Sequence, residues 1–315
     1  TDLAAPSASR HRAGGITMTD RITVAHRIEA FGYDVLTGLL RLLPFAFVSA
    51  LGGRLLRLIG PLTSKHRIAR TNLKIAFPDA PDKQIRRLLS AQWDNLGRTF
   101  AEFALTDRIR AFEASSRVTV EGMEYFTDNV PAIFVGGHFA NWEFLGTVLT
   151  QAPEPVRITY RKINNPLIDR RVREQREAYG TKFLVQKSTH RGGRELFEAL
   201  RGGESIAIMN DQKFNTGLSI PFFGVEAMTA QGAVRLALKT RRPLVPMTVT
   251  RDKARFHVKI SPPLDWPKTG DRATAVEAGM RLVTQYIEDR IRDNPQQWFW
   301  VHRRWPRHVY KADKE

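Results

Sequence analysis

The chain has 315 residues, enough for one large domain or a domain with an appendage, and it can bury a substantial core without covalent staples. It contains no cysteine, which excludes disulfides, thiolate metal ligation and a cysteine acyl-enzyme. Lys and Arg number 49 against 32 Asp and Glu, and the resulting net charge of +17 implies a polyanionic partner: anionic lipid, an acidic protein or nucleic acid.

Residues Thr1 to Thr17 are small, polar and glycine-containing with no apolar h-region, so they do not form a signal peptide. They are expected to be a disordered extension, with Met18 as a candidate natural start. Residues 18–62 form a second unit, dense in Leu, Phe and Val from Ile28 to Leu62 and poor in charge. The run from Val35 to Gly53 is interrupted only by Arg41 and approaches the ~20 apolar residues that span a bilayer, but Pro44 argues against one straight helix. With Arg41, Arg54 and Arg57 flanking it, the segment suits a membrane interface; a buried helical hairpin is the alternative.

Ser64 to Leu105 reads as two helices broken at Phe77-Pro78-Asp79-Ala80-Pro81, with Asp82 as N-cap of the second. Apolar runs then alternate with amphipathic stretches. Strands are expected at Ala132 to Val135, Val156 to Tyr160, Lys182 to Val185 and Ser205 to Met209. The intervening helices are Asn141 to Leu149, Pro166 to Tyr179 and Arg191 to Leu200. A helix over Ala230 to Lys239, strands over Leu244 to Thr250 and Phe256 to Ile260, and a helix from Arg272 to Arg292 complete the chain. This rhythm predicts an α/β fold over residues 63–315, with a central, largely parallel or mixed sheet flanked by helices and preceded by the N-terminal helical membrane-associated segment.

The chemistry concentrates at strand ends. Gly136-Gly137-His138-Phe139-Ala140-Asn141-Trp142-Glu143 follows the apolar run Ala132 to Val135 and places an imidazole, the side chain best suited to take a proton near neutral pH, near a carboxylate. On a continuous helix these two would lie about 140° apart, so His138 must sit in the turn and Glu143 in the first helical turn for them to meet. Asn210-Asp211-Gln212 ends the Ser205 to Met209 strand, where α/β sheets hold ligands; a turn-forming role is the alternative. Arg161 to Arg176 carries six cations against Asp169 and Glu174, suiting either phosphate contacts or a solvated helix face. Pro221-Phe222-Phe223-Gly224 suits a pocket wall or core. The aromatic and cationic strip Trp298 to Trp305 suits a membrane interface, single-stranded nucleic acid or inward packing. A phosphate-binding loop of the Walker type, a paired-glycine dinucleotide fingerprint, a His-Glu-x-x-His helix and a Gly-x-Ser-x-Gly elbow are all absent from the sequence.

In order, these motifs resemble the late acyltransferases of lipid A biosynthesis (lauroyl and myristoyl transferases), within the lysophospholipid acyltransferase superfamily. The resemblance covers roughly Ile28 to His308. It rests on Arg67, Arg70-Thr71-Asn72-Leu73, Ala76-Phe77-Pro78, Gly137-His138 to Glu143, Tyr160-Arg161, Asn165 to Asp169, Arg176, Asp211-Gln212, Pro221 to Gly224 and Trp300 to Arg304. It implies an enzyme on the cytoplasmic face of the inner membrane that moves a fatty acyl chain from acyl carrier protein to a hydroxyl of a lipid A precursor. His138 would be the general base and Glu143 its orienting partner, with Arg161, Arg176, Asp211 and Gln212 binding substrate. No metal or cofactor is expected; the partners would be acyl carrier protein, the lipid A precursor and anionic inner-membrane lipids, without nucleic acid. Related enzymes with another glycolipid or phospholipid acceptor, or an acyl-CoA donor, share this site pattern. A non-catalytic basic protein binding membrane or nucleic acid is the more distant alternative.

Overall fold

The computed structural model describes residues 22–310 apart from 179, 186–189 and 269; the expected extension at Thr1 to Thr17, Met18 and the helix end at Tyr179 lie outside the described residues. Four helices open the described residues: α1 (Val24–Leu40), α2 (Phe45–Ile59), α3 (Ser64–Ala76) and α4 (Asp82–Glu102). Pro44 divides the first two by acting as N-cap of α2, where its missing N–H costs nothing. The apolar run thereby becomes two separate helices, α1 packed mainly toward α7 (Pro166–Glu177) and α2 on α4. Packing of α2 on α4 is close enough that a Cβ at Gly52 would lie 2.4 Å from the Gly97 carbonyl oxygen, so neither glycine tolerates a side chain.

The N-cap expected at Asp82 belongs instead to Pro81. Asp82 is the first helical residue, where its charge complements the helix dipole and faces Lys74 at 3.5 Å.

Beyond α4 the chain builds a seven-stranded sheet in the order β1-β9-β8-β2-β5-β3-β4. In chain order the elements are β1 (Val118–Glu121), α5 (Met123–Thr127), β2 (Ile133–Gly136), α6 (Glu143–Gln151), β3 (Val156–Tyr160), α7 (Pro166–Glu177), β4 (Lys182–Val185), α8 (His190–Arg201) and β5 (Ser205–Met209). A hairpin of β6 (Lys213–Phe222) and β7 (Val225–Thr229) follows, then α9 (Gly232–Thr240), β8 (Leu244–Asp252), β9 (Arg255–Ile260) and α10 (Arg272–Asp293). The β8–β9 pair is antiparallel and the other sheet pairings are parallel, which gives the expected mixed but mainly parallel sheet. Its central strand β2 is buried throughout, which explains its uninterrupted apolar sequence.

The β6–β7 hairpin was not anticipated. Phe223 (φ 52°) and Gly224 (φ 74°) occupy its two-residue loop, and positive φ at both central positions matches the twist of a tight hairpin. Phe222 is buried and packs on Trp298 and Trp305, so this motif serves the core. Trp298, Trp300 and Trp305 are themselves buried, so the C-terminal strip faces inward and offers no indoles to a membrane or to bases.

Candidate active site

Parallel pairing of β2 with β5 sets Gly136 opposite Met209. The residues two beyond each partner, His138 and Asp211, therefore emerge side by side at the carboxyl ends of adjacent central strands. His138 Nδ1–H donates to Asp211 Oδ1 at 2.8 Å, and the His138 backbone N–H donates to Oδ2 at 2.8 Å. Because a carboxylate only accepts, this contact leaves Nε2 as the basic nitrogen.

Asp211 lies behind the imidazole with no exposed side-chain surface, whereas the sequence expectation placed it among substrate-binding groups. Its third hydrogen bond comes from Trp298 Nε1 at 2.8 Å. Burial alone would raise its pKa, but the charge and hydrogen bonds of His138 hold the carboxyl well below the usual carboxylate range. For His138 burial disfavours the cation, yet the Asp211 charge and hydrogen bond, helped by the Glu143 charge, lift the imidazole above its ordinary value. His302 is nearby and neutral: burial lowers its pKa to about 4, and Nδ1–H donates to the Phe299 carbonyl at 2.7 Å.

Glu143 was expected to orient His138, but its carboxylate is bound by Arg176 through Nε at 2.9 Å and through Nη2. It lies at the first position of α6, as the sequence geometry required, but acts on His138 through its charge. Arg176 also lies over the rings of Phe103 and Tyr160, at 5.6 and 5.7 Å. The other α7 cations follow the solvated-face reading, since Arg170 and Arg173 meet Glu174 and Glu177 and Arg171 meets Asp34 of α1.

His138, Glu143, Arg161 and Arg176 line one cavity of about 270 Å³ that runs between α6 and the sheet. Much of its lining is apolar, including Phe134, Leu145, Leu149, Ile158 and Ala207. Arg161 is exposed at the end of β3, while Gln212 is half-buried and contributes no wall. The β3–α7 loop that carries Arg161 is pinned by Asp169, which accepts from the Ile163 backbone at 2.6 Å and from Tyr160 Oη.

Sequence reasoning missed Trp298 because a buried indole donor and a surface indole give the same letter pattern. It also missed the strain in the loop. Ala140 adopts φ 41°, held by its N–H on the Gln297 carbonyl at 2.7 Å and by Thr99 Oγ1 on its own carbonyl at 2.7 Å. Gly137 has a clear reason to lack a side chain: a Cβ there would meet Phe139 at 2.7 Å and the Asp211 Cβ at 3.3 Å.

An imidazole tied to a buried carboxylate at the wall of an apolar cavity suits activation of a hydroxyl toward an acyl group. The family model for bacterial lipid A biosynthesis acyltransferases matches residues 21–307. The chain belongs to this family. It is 28% identical over 276 residues to a lipid A biosynthesis palmitoleoyltransferase of Escherichia coli (strain K12), covering 83% of this chain and 86% of that one. A lipid A biosynthesis lauroyltransferase of the same organism is 27% identical over 273 residues, with the same two coverages. A phosphatidylinositol mannoside acyltransferase of Mycolicibacterium smegmatis (strain ATCC 700084 / mc(2)155) is 24% identical over 301 residues, covering 92% of this chain and 95% of that one. This acyltransferase therefore carries its family's chemistry on the mixed α/β sheet described above.

Proposed function

We propose that this acyltransferase moves a fatty acyl group from acyl carrier protein to a hydroxyl of a lipid A precursor at the cytoplasmic face of the inner membrane, with His138 as general base. The observation that carries the reading is the imidazole on the cavity wall, its Nδ1 committed to Asp211 and its Nε2 left to face a substrate. Nε2 takes the hydroxyl proton as that oxygen attacks the thioester carbonyl, whose π electrons move to oxygen. Collapse of the oxyanion breaks the C–S bond, and the proton on Nε2 passes to the departing thiolate. Arg176, on the same cavity wall, is the cation placed to stabilise the oxyanion. Asp211 takes the orienting role expected of Glu143, while Glu143 fixes Arg176 and adds negative potential favouring the imidazolium. The +17 charge favours encounter with a phosphorylated glycolipid and an acidic carrier protein.

The apolar part of the cavity suits the acyl chain. Gly146, on its wall, leaves space between α6 and β3, because a Cβ there would already stand 3.1 Å from Ile158 Cδ1. Gly146→Leu is expected to reduce transfer from the longest accepted donor roughly tenfold or more relative to shorter ones, since each methylene excluded from an apolar pocket is worth about 1–3 kcal/mol. Competition between donors of different chain length measures this; an unchanged ratio would remove the cavity from acyl selection.

The membrane assignment rests on α1 and α2. Ile28, Phe31 and Leu36 on α1, Leu42 in the connecting turn, and Leu55 and Leu58 on α2 are all exposed, a concentration that soluble surfaces rarely carry. The run Phe45–Leu62 is long and apolar enough to cross a membrane by composition. However, α2 spans 15 residues, about 22 Å, and one of its sides is fixed to α4. It therefore suits burial in the interface beside headgroups contacted by the exposed Arg54 and Arg57. Arg41 does not join them, since it is drawn inward to Asp107 by paired contacts of 2.8 Å.

Phe31→Asp combined with Leu55→Asp is expected to move the protein from the membrane to the soluble fraction while thermal unfolding stays unchanged. Losing two inserted side chains removes about 3 kcal/mol or more of membrane affinity. Retention in the membrane fraction would refute the assignment. Mass spectrometry of lipid A from cells lacking this chain tests the acceptor: loss of one secondary acyl chain is expected, whereas intact lipid A with altered glycolipid elsewhere would favour the acceptor class named for the Mycolicibacterium relative.

A further inference from the structure

Glu102, the last residue of α4, is fully enclosed and binds groups from three other parts of the fold at once. Its Oε1 accepts from Ser49 Oγ of α2 at 2.6 Å and from Arg251 Nη1 of β8. Its Oε2 accepts from Asn141 Nδ2 in the catalytic loop at 2.9 Å and from Arg251 Nη2 at 2.9 Å. Arg251 supplies the counter-charge and is itself held by Asn95 Oδ1 at 2.9 Å and Thr99 Oγ1 at 3.0 Å. Neither Glu102 nor Arg251 lines the cavity.

Asn141 lies between His138 and Glu143. With its Nδ2 bound to Glu102, its Oδ1 is turned toward the Glu143 backbone N–H, which donates to it at 3.2 Å. Thr99, touched by Arg251, donates to the carbonyl of Ala140, the residue with unfavourable positive φ. The network thus grips the loop where its backbone is least favourable. A buried ion pair that served stability alone would be replaceable by two apolar side chains, whereas these loop contacts would be lost with it.

We infer that Glu102, backed by Arg251, is a positioning residue for acyl transfer: it fixes loop 138–143 to α4 and to the lipid-facing helix α2, so that His138 and Glu143 meet the cavity in working geometry. The inference rests on the reading of His138 as base.

Glu102→Leu with Arg251→Met removes both buried charges with little change in volume. The double variant is expected to remain folded at the assay temperature but to melt lower than wild type, because Ser49 Oγ, Asn95 Oδ1 and Asn141 Nδ2 lose buried partners. In the folded protein it should lose roughly 10- to 100-fold in kcat and keep KM within about twofold, because small misplacement of reacting groups is costly. Its His138 imidazole resonances should shift. Asn141→Leu leaves the ion pair in place and should reproduce the kcat loss, and the triple variant should be no worse than either. Wild-type kcat in the folded double variant or in Asn141→Leu would overturn the inference. Activity in His138→Ala would instead sink the reading of the base, so the two failures are separable.

Discussion

His138→Ala is expected to lower kcat for acyl transfer by about 10³-fold with membrane binding unchanged, the scale set by loss of a positioned general base. It should also melt lower, because the enclosed Asp211 loses its counter-charge, while remaining folded at the assay temperature. The imidazole is only 20% exposed and its neighbours Trp142 and Phe299 pack at 5.1 and 6.0 Å, so truncation leaves a small void beside a wall that is otherwise intact. The wild-type pH profile should carry the same signature. A base must be neutral to act, and Asp211 and Glu143 hold the His138 pKa above its ordinary value of 6.5 against the opposing effect of burial. Thus kcat should be low in acid and rise with pH through that elevated value. A profile flat from pH 6 to 9, or near-wild-type turnover in His138→Ala, would exclude the imidazole from proton transfer.

Asp211→Asn is expected to cost about 10²- to 10⁴-fold in kcat while leaving the fold in place. An amide at this position can donate to Nδ1 and so place the imidazole proton on Nε2, where the lone pair is needed; the equivalent exchange in serine protease triads has an effect of that size. The substitution also removes a charge that raises the His138 pKa while burial continues to lower it, so any residual activity should show its inflection at lower pH than wild type. Glu143→Gln gives the contrast. It releases Arg176 but leaves His138 on Asp211, so its inflection should move less. If Asp211→Asn stayed within threefold of wild type while Glu143→Gln collapsed, Glu143 would be the orienting group after all. Stability follows the same linkage. The raised His138 contributes fully below its ordinary 6.5 and loses that contribution as pH rises through its folded value; the lowered Asp211 contributes above its ordinary 3.8 and loses it in acid.

The α/β framework was legible because buried parallel strands must be apolar on both faces, which made Ala132 to Val135 and Ser205 to Met209 conspicuous between amphipathic stretches. Both polar ends of those strands were marked as chemical for the same reason. Their pairing was not visible, because residues 138 and 211 meet only through the β2–β5 register, a tertiary property that local spacing does not encode. Local spacing favoured Glu143, which turned instead to an arginine 33 residues further along. The β6–β7 hairpin escaped because Phe223-Gly224 lacks the Asn-Gly or Asp-Gly signal of its turn, and β1 because an edge strand of four residues carries too little pattern. The N-terminal helix pair α1 and α2 was legible as an apolar surface. The second role of α2, presenting Ser49 to the Glu102 carboxylate behind the 138–143 loop, required the packed α2–α4 pair to be seen.

The most direct test is reconstitution. Purified protein in vesicles, given an acyl carrier protein thioester and a lipid A precursor, should yield a precursor heavier by one acyl group with one equivalent of released carrier thiol, and His138→Ala and Asp211→Asn should each suppress both products. Transfer undiminished in both variants, or thiol release without any acylated precursor under conditions where a family relative acylates it, would contradict the account.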